Sequence, residues 1–196
     1  MPEKSVDLIP GTPVNAADGP VGRLERVIID PEHDRAIALV VRESELPNTL
    51  RLVSEKYLAK ADAQGVLLAL THKQFASQKE YIHTDYYAPE FFLTVARAEQ
   101  CSLPLSPASW TVERPATPEG AVALVGHETV EATDGKVGRV DGVLLDRAGG
   151  HVTHLVLRHG HLWGAREILV PAGLVAGYED GCVRLSADKA AVEALN

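Results

Sequence analysis

The chain has 196 residues, 45% of them hydrophobic and 23% charged, the make-up of a packed globular protein and not of a fibrous repeat or a disordered tract. Its formal net charge is −8, and no stretch gathers the Lys and Arg that a phosphate backbone or an anionic membrane surface requires, so nucleic acid is a poor partner. The longest unbroken apolar run, Ala36 to Val41, falls far short of a membrane span, and MPEKSVDLIPG has no basic segment leading into an apolar core, so a soluble, cytoplasmic protein is expected.

In chain order, PVNAA is followed by Asp18-Gly19, a strong tight-hairpin signal, because a type I′ turn asks for positive φ at both central positions. The strand VGRLERVIID follows, then the acidic turn PEHD, then the strand RAIALVVRE. Two shorter runs, LRLVS and GVLLAL, complete a set of five or six short strands. Thr71-x-x-Gln74 has the form of a capping box ahead of a short helix running to about Lys79. Val27-Ile28-Ile29 and Leu39-Val40-Val41 are apolar on both strand faces, so the outer face there needs a cover from the other half of the chain or the segment between.

The same order then recurs. Asp134-Gly135 lies 116 residues after Asp18-Gly19. At that offset Val21, Gly22, Arg23, Val27 and Asp30 fall on Val137, Gly138, Arg139, Val143 and Asp146. Leu39, Val40, Arg42 and Leu46 fall on Leu155, Val156, Arg158 and Leu162, with a one-residue slip near Leu52 and Leu169. VGRVDGVLLD, HVTHLVLRH, REILVP and GCVRL are the second copy's strands, and Ala187 to Leu195 is a helix with Ser186 as its cap. Each copy reads as a small antiparallel barrel or curled sheet, closure being the way such a unit disposes of its edges.

Between the copies, residues 81 to 121 hold five prolines and a set of large rings, Tyr81, Tyr86, Tyr87, Phe91, Phe92 and Trp110. Proline keeps the segment extended, but so many rings call for burial at roughly 1.5–3 kcal/mol each. The segment is either a strap that holds the two halves together or an aromatic groove for a partner.

Candidate chemistry is sparse. Cys101 and Cys182 form no CxxC pair and are read as reduced thiols. His151, His154, His159 and His161 cluster along one strand and its loop. His151, His159 and His161 are the candidates for a metal, but convergent ligands are needed and His154 should face away from His151 and His159; ordinary strand and loop histidines are the alternative. DPEHD at 30 to 34 lacks the spacing of a calcium loop and reads as a solvated turn. Arg23 and Arg139 recur, as do Asp30 and Asp146, either in an ion pair or strand cap or with the arginines facing a partner. Trp163, in His161-Leu162-Trp163-Gly164, either plugs a barrel end or anchors another protein.

The pattern DGxVGRxxxVxxD, followed by a strand ending LVLR and then by HLWG and ILVP, resembles the PRC-barrel family, whose relatives include the cytoplasmic domain of the photosynthetic reaction-centre H subunit and the C-terminal domain of the ribosome maturation factor. The resemblance implies an all-β protein of two tandem small antiparallel PRC-type barrels related by a pseudo-twofold. Residues 5–75 would form the first, 76–121 an extended docking connector, and 122–196 the second with a C-terminal helix. It also implies a binding module without enzymatic activity or cofactor, an adaptor for a protein partner, with a homodimer allowed. Arg23, Arg139, Trp163, Tyr86, Tyr87, Phe91 and Phe92 are the partner-facing candidates. By family analogy alone, a role in RNA or ribosome maturation or in photosynthetic-complex assembly is the alternative, and a metal-binding protein built on the histidines is a third.

Overall fold

A computed structural model describes residues 5–62, 64–87, 110–146, 150–159, 166–179 and 181–195. The first repeat begins with β1 (Ser5–Leu8), β2 (Pro13–Ala16), the long β3 (Gly19–Asp30), β4 (Arg35–Glu43) and β5 (Leu50–Ser54). It continues with β6 (Leu58–Asp62), β7 (Gly65–Leu68), helix α1 (His72–Ala76) and β8 (Lys79–Glu80). The connector contributes an antiparallel ribbon of β9 (Ile82–Tyr87) and β10 (Trp110–Pro115), with Trp110 opposite Tyr87 and Pro115 opposite Ile82.

The second repeat repeats the order. It contains β11 (Val122–Leu124), β12 (Thr129–Ala132), β13 (Gly135–Asp146), β14 (Val152–His159), β15 (Arg166–Pro171), β16 (Val175–Glu179), β17 (Cys182–Leu185) and helix α2 (Lys189–Glu193).

Each repeat folds into a sheet around its long strand. The first runs β6-β7-β2-β3-β4-β5-β8 and the second β15-β14-β13-β12-β17-β16. Two features differ from a closed antiparallel barrel. Each sheet holds one parallel pair, β2 with β7 and β12 with β17, and neither path closes into a hydrogen-bonded ring among the described residues.

The leading strands are exchanged. β1, which opens the first repeat, pairs with β13 of the second, Val6 opposite Leu145 and Leu8 opposite Val143. β11, which opens the second repeat, pairs with β3 of the first, Val122 opposite Ile29 and Leu124 opposite Val27. At the 116-residue offset the two ladders are the same ladder. Each 12-residue strand therefore carries two short strands end to end along one side, one from its own repeat and one from the other. β1 also packs against β6, so the borrowed strand links the edge of one sheet to the other sheet.

A second self-matching contact ties the halves at the starts of β4 and β14. Arg35 and His151 form an isolated antiparallel bridge, Ala36 N–H donates to Gly150 O at 3.0 Å, and Val152 N–H donates to Asp34 O at 2.6 Å. Arg35 and His151 are themselves 116 residues apart, so a pseudo-twofold axis passes through this bridge.

Strand periodicity sorts the side chains. Val27, Ile29, Leu39 and Val41 point into one continuous core that extends from Val6 to Val192 and so is common to both repeats. Ile28, Ala38, Val40 and Leu50 point outward and are covered by Tyr81, with Ile82, Ala116 and Ala121 packed around them. The connector is thus the cover that the two-faced apolar strands of the first repeat required. Its start is pinned as Tyr81 N–H donates to Leu50 O and Ala116 N–H donates to Tyr81 O.

The duplicated Asp-Gly has a use beyond its turn. Only the glycines have positive φ, +151° at Gly19 and +123° at Gly135, so the type I′ expectation is not met. The aspartates instead reach the closing helices: Asp18 Oδ1 accepts the His72 N–H at 2.8 Å and Asp134 Oδ1 the Lys189 N–H at 2.9 Å. Each therefore satisfies an N–H that the first turn of a helix leaves without an internal partner.

Thr71 and Gln74 form the expected reciprocal capping box, but α1 ends at Ala76, because Lys79 and Glu80 pair with β5. The cap of α2 is Asp188, which accepts the Ala191 N–H. Ser186, expected in that role, donates its hydroxyl to Leu174 O instead.

Two outcomes follow. Gly142 lies where a Cβ would stand 2.7 Å from Leu8 O, so Gly142→Ala must displace β1 and should cost about 2 kcal/mol or more in urea unfolding, whereas Gly173→Ala, with nothing within 4 Å, should stay within about 0.5 kcal/mol. Asp18→Ala and Asp134→Ala should each cost about 1 kcal/mol by the same assay, and Asn at either position should recover most of it.

Candidate functional site: a cleft at the seam of the repeats

Both long strands carry a β-bulge at the same place. In β3 the pairing with β4 shifts between Leu24 and Arg26, and in β13 the pairing with β14 shifts between Val140 and Gly142. The extra residue is acidic in each, and each is held by the arginine of the neighbouring strand. Glu25 accepts from Arg42 Nε and Nη2 at 3.1 and 2.8 Å, and Asp141 from Arg158 Nη2 at 2.9 Å. The two hydrogen bonds from Arg42 hold the Glu25 carboxyl below its usual range and raise the guanidinium in turn.

The residue after the bulge is where the repeats part company. In β13 it is Gly142, against which Leu8 and Ile9 pack directly. In β3 it is Arg26, whose side chain lines a cleft of about 460 Å³ that also receives Tyr81, Thr117, Glu128, Tyr178 and Cys182. Its floor includes the exchanged strand β11, so the cleft is made by both repeats and by the connector.

The groups in this cleft are held in fixed states. Tyr81 is buried, and its hydroxyl shares a 2.8 Å hydrogen bond with Thr117 Oγ1. The Arg26 guanidinium lies 5.6 Å from the Tyr81 ring centroid, within the range of a cation–π contact. Arg26 Nε is buried and has no hydrogen-bond partner. Glu128, 9% exposed, takes the backbone N–H groups of Val125, Gly126 and His127 on its carboxylate. Glu179 is paired with Arg184 at 2.8 Å. Burial, helped by Asp34, pushes the Tyr178 phenol up to about 12, and burial, with Glu131 next, pushes the Cys182 thiol up as well. At neutral pH both are protonated.

The residues singled out in the sequence are scattered over the molecule. Arg23 is exposed and donates to Gly11 O at 2.9 Å, so it clasps the loop before β2. Arg139 lies exposed at the matching position of β13. Asp30 accepts the Glu32 N–H at 2.9 Å and meets His33 Nδ1 at 2.7 Å, and the His33 contact holds its carboxyl low; Asp146 accepts the His151 N–H at 2.8 Å. The recurring ion pairs therefore fall on Glu25–Arg42 and Asp141–Arg158.

His151 sits at the pseudo-twofold bridge, exposed, with His154 half-buried on β14. Among the described residues no group of three His, Cys, Asp or Glu is placed to hold a metal ion. Tyr86 and Tyr87 lie on β9 and His159 ends β14, while Phe91, Phe92, His161 and Trp163 lie outside the described residues. Arg26 and Glu128 carried no motif. The signal that could have found Arg26 is the repeat itself, where an arginine in one copy meets a glycine in the other at the same bulge.

Residues 120–192 match the family model of the PRC-barrel domain. This segment, which is most of the second repeat, is a PRC-barrel domain. The first repeat stands outside the match; the strand order β6-β7-β2-β3-β4-β5 in its sheet parallels β16-β17-β12-β13-β14-β15 in the second. No curated protein matches the chain. Among the described residues no helix is long and apolar enough to cross a membrane.

Cys182 offers a direct check on the cleft. In a Cys101→Ser background, iodoacetamide should alkylate Cys182 at pH 8 several-fold more slowly than N-acetylcysteine, because a raised thiol pKa leaves less of the reactive thiolate. The difference should vanish in 6 M urea.

Proposed function

We propose that this PRC-barrel protein is a non-enzymatic adaptor that holds a protein partner at the seam of its two repeats. The observation that supports this reading is the state of the cleft's ionisable groups. A nucleophile or general base needs a pKa near the working pH and a free path to substrate. Here Tyr178 and Cys182 are shifted away from neutrality in the inert direction. Glu128 is saturated by backbone N–H groups, and Glu179 is engaged by Arg184. Groups fixed in this way suit recognition, in which the surface should not reorganise when a ligand arrives.

The exchanged strands favour the same reading. Because β1 and β11 each belong to one repeat in sequence and to the other in pairing, the seam cannot open by a hinge without breaking both ladders. It therefore presents its side chains at constant spacing, which lowers the ordering cost of binding.

Affinity capture from the native organism, followed by reconstitution with the purified prey, tests the proposal. A single protein that binds at 1:1 stoichiometry by calorimetry is expected. Recovery of chaperones alone, or turnover of a substrate by the purified protein, would overturn it.

A further inference from the structure

We infer that the seam cleft is a carboxylate-binding site with Arg26 as its anchor. This deepens the adaptor reading and rests on it: the partner would offer an acidic side chain to the cleft.

The argument is a balance of charges. Every carboxylate close to Arg26 already has its own donors. Glu25 gives both oxygens to Arg42, Glu128 is held by three backbone N–H groups, and Glu179 pairs with Arg184. Tyr178 and Cys182 are neutral at physiological pH. Arg26 is the charge left over. Arg35, Arg42, Arg51, Arg158 and Arg184 each form an ion pair, whereas Arg26 acts on Glu25 only through space, has the Tyr81 ring 5.6 Å away, and holds its Nε buried with no acceptor.

A desolvated guanidinium donor without an acceptor is costly, and the geometry best able to relieve it is a planar carboxylate taking two parallel N–H groups. The cleft of about 460 Å³ has room for such a group. The Tyr81 ring, with its hydroxyl tied to Thr117, lies 5.6 Å from the guanidinium and limits where it can move. The related position in the second repeat shows what is unusual: with Gly142 there, Leu8 and Ile9 close directly onto the strand.

The test follows the Nε–Hε signal of Arg26 in the 15N-labelled full chain, assigned by its loss in Arg26→Gln. The probes are sodium succinate and an acetylated, amidated tetraglutamate peptide, each at matched ionic strength in NaCl. At least one probe should shift the Arg26 signal saturably at millimolar concentration or below, and Arg26→Gln should weaken binding at least tenfold while Arg26→Lys weakens it less. Tighter binding of the peptide assigns the carboxylate to a partner's side chain; tighter binding of succinate makes it a free organic acid. A linear response no larger than those of exposed Arg139 and Arg166 with both probes overturns the site.

Thermal unfolding supplies a readout that a merely structural arginine would fail. Removing an unpaired buried donor should leave the Tm of Arg26→Gln at or above the wild type, and a Tm several degrees lower would mark Arg26 as a strut against Tyr81 and overturn the inference. A captured partner that binds Arg26→Gln as tightly as wild type would remove the cleft's role and leave the adaptor reading standing.

Discussion

The exchange of two short strands, β1 onto β13 and β11 onto β3, sets the terms for everything else in this molecule. Each long strand has an unpaired stretch beyond the reach of its own repeat's short strand, and buried backbone N–H and C=O groups must find partners. The other repeat supplies them. As a result the two hydrophobic interiors become one, continuous from Val6 to Val192, and the pseudo-twofold axis is fixed where Arg35 meets His151. In the first sheet the connector's start covers β5 at one side, and the borrowed β1 packs against β6 at the other.

Symmetry of this kind makes departures from it informative. The bulge, its acidic residue and the arginine that holds it are the same in both halves, with Glu25–Arg42 matching Asp141–Arg158. The next position breaks the match, arginine against glycine: a cleft lies on the arginine side, while Leu8 and Ile9 lie directly against the glycine. A duplicated scaffold can thus keep one copy for closure and use the other to build a site, with a single side chain deciding which does which.

How far the sequence could be read depended on the range of the interactions involved. The duplicated Asp-Gly hairpin, the long strands after it, the capping box at Thr71 and the need to cover the outer face of β3 and β4 were legible, because periodicity and local capping are written within a few residues. The destination of Asp18 and Asp134 was not, since each reaches a helix more than fifty residues away. Nor was the exchange of β1 and β11: a four-residue and a three-residue strand look alike whichever neighbour they join. The candidate site was harder still. Arg23 and Arg139 stood out because they recur, but recurrence marks what the fold shares, and Arg26 matters through its lack of a counterpart. Glu128 is invisible as a motif because its ligands are backbone N–H groups, which every residue but proline possesses.

The seating of β1 also bears on how the chain is made. Residues 5 to 8 leave the ribosome well before their pairing surface, Val143 to Asp146, which is translated some 135 residues later, on the order of ten seconds at ordinary elongation rates. Until then the first repeat can assemble around β3 only with the β11 place empty, and β1 has no ladder to join. β1 therefore stays without its ladder until β13 has been made, and completion of the native state waits on the second repeat.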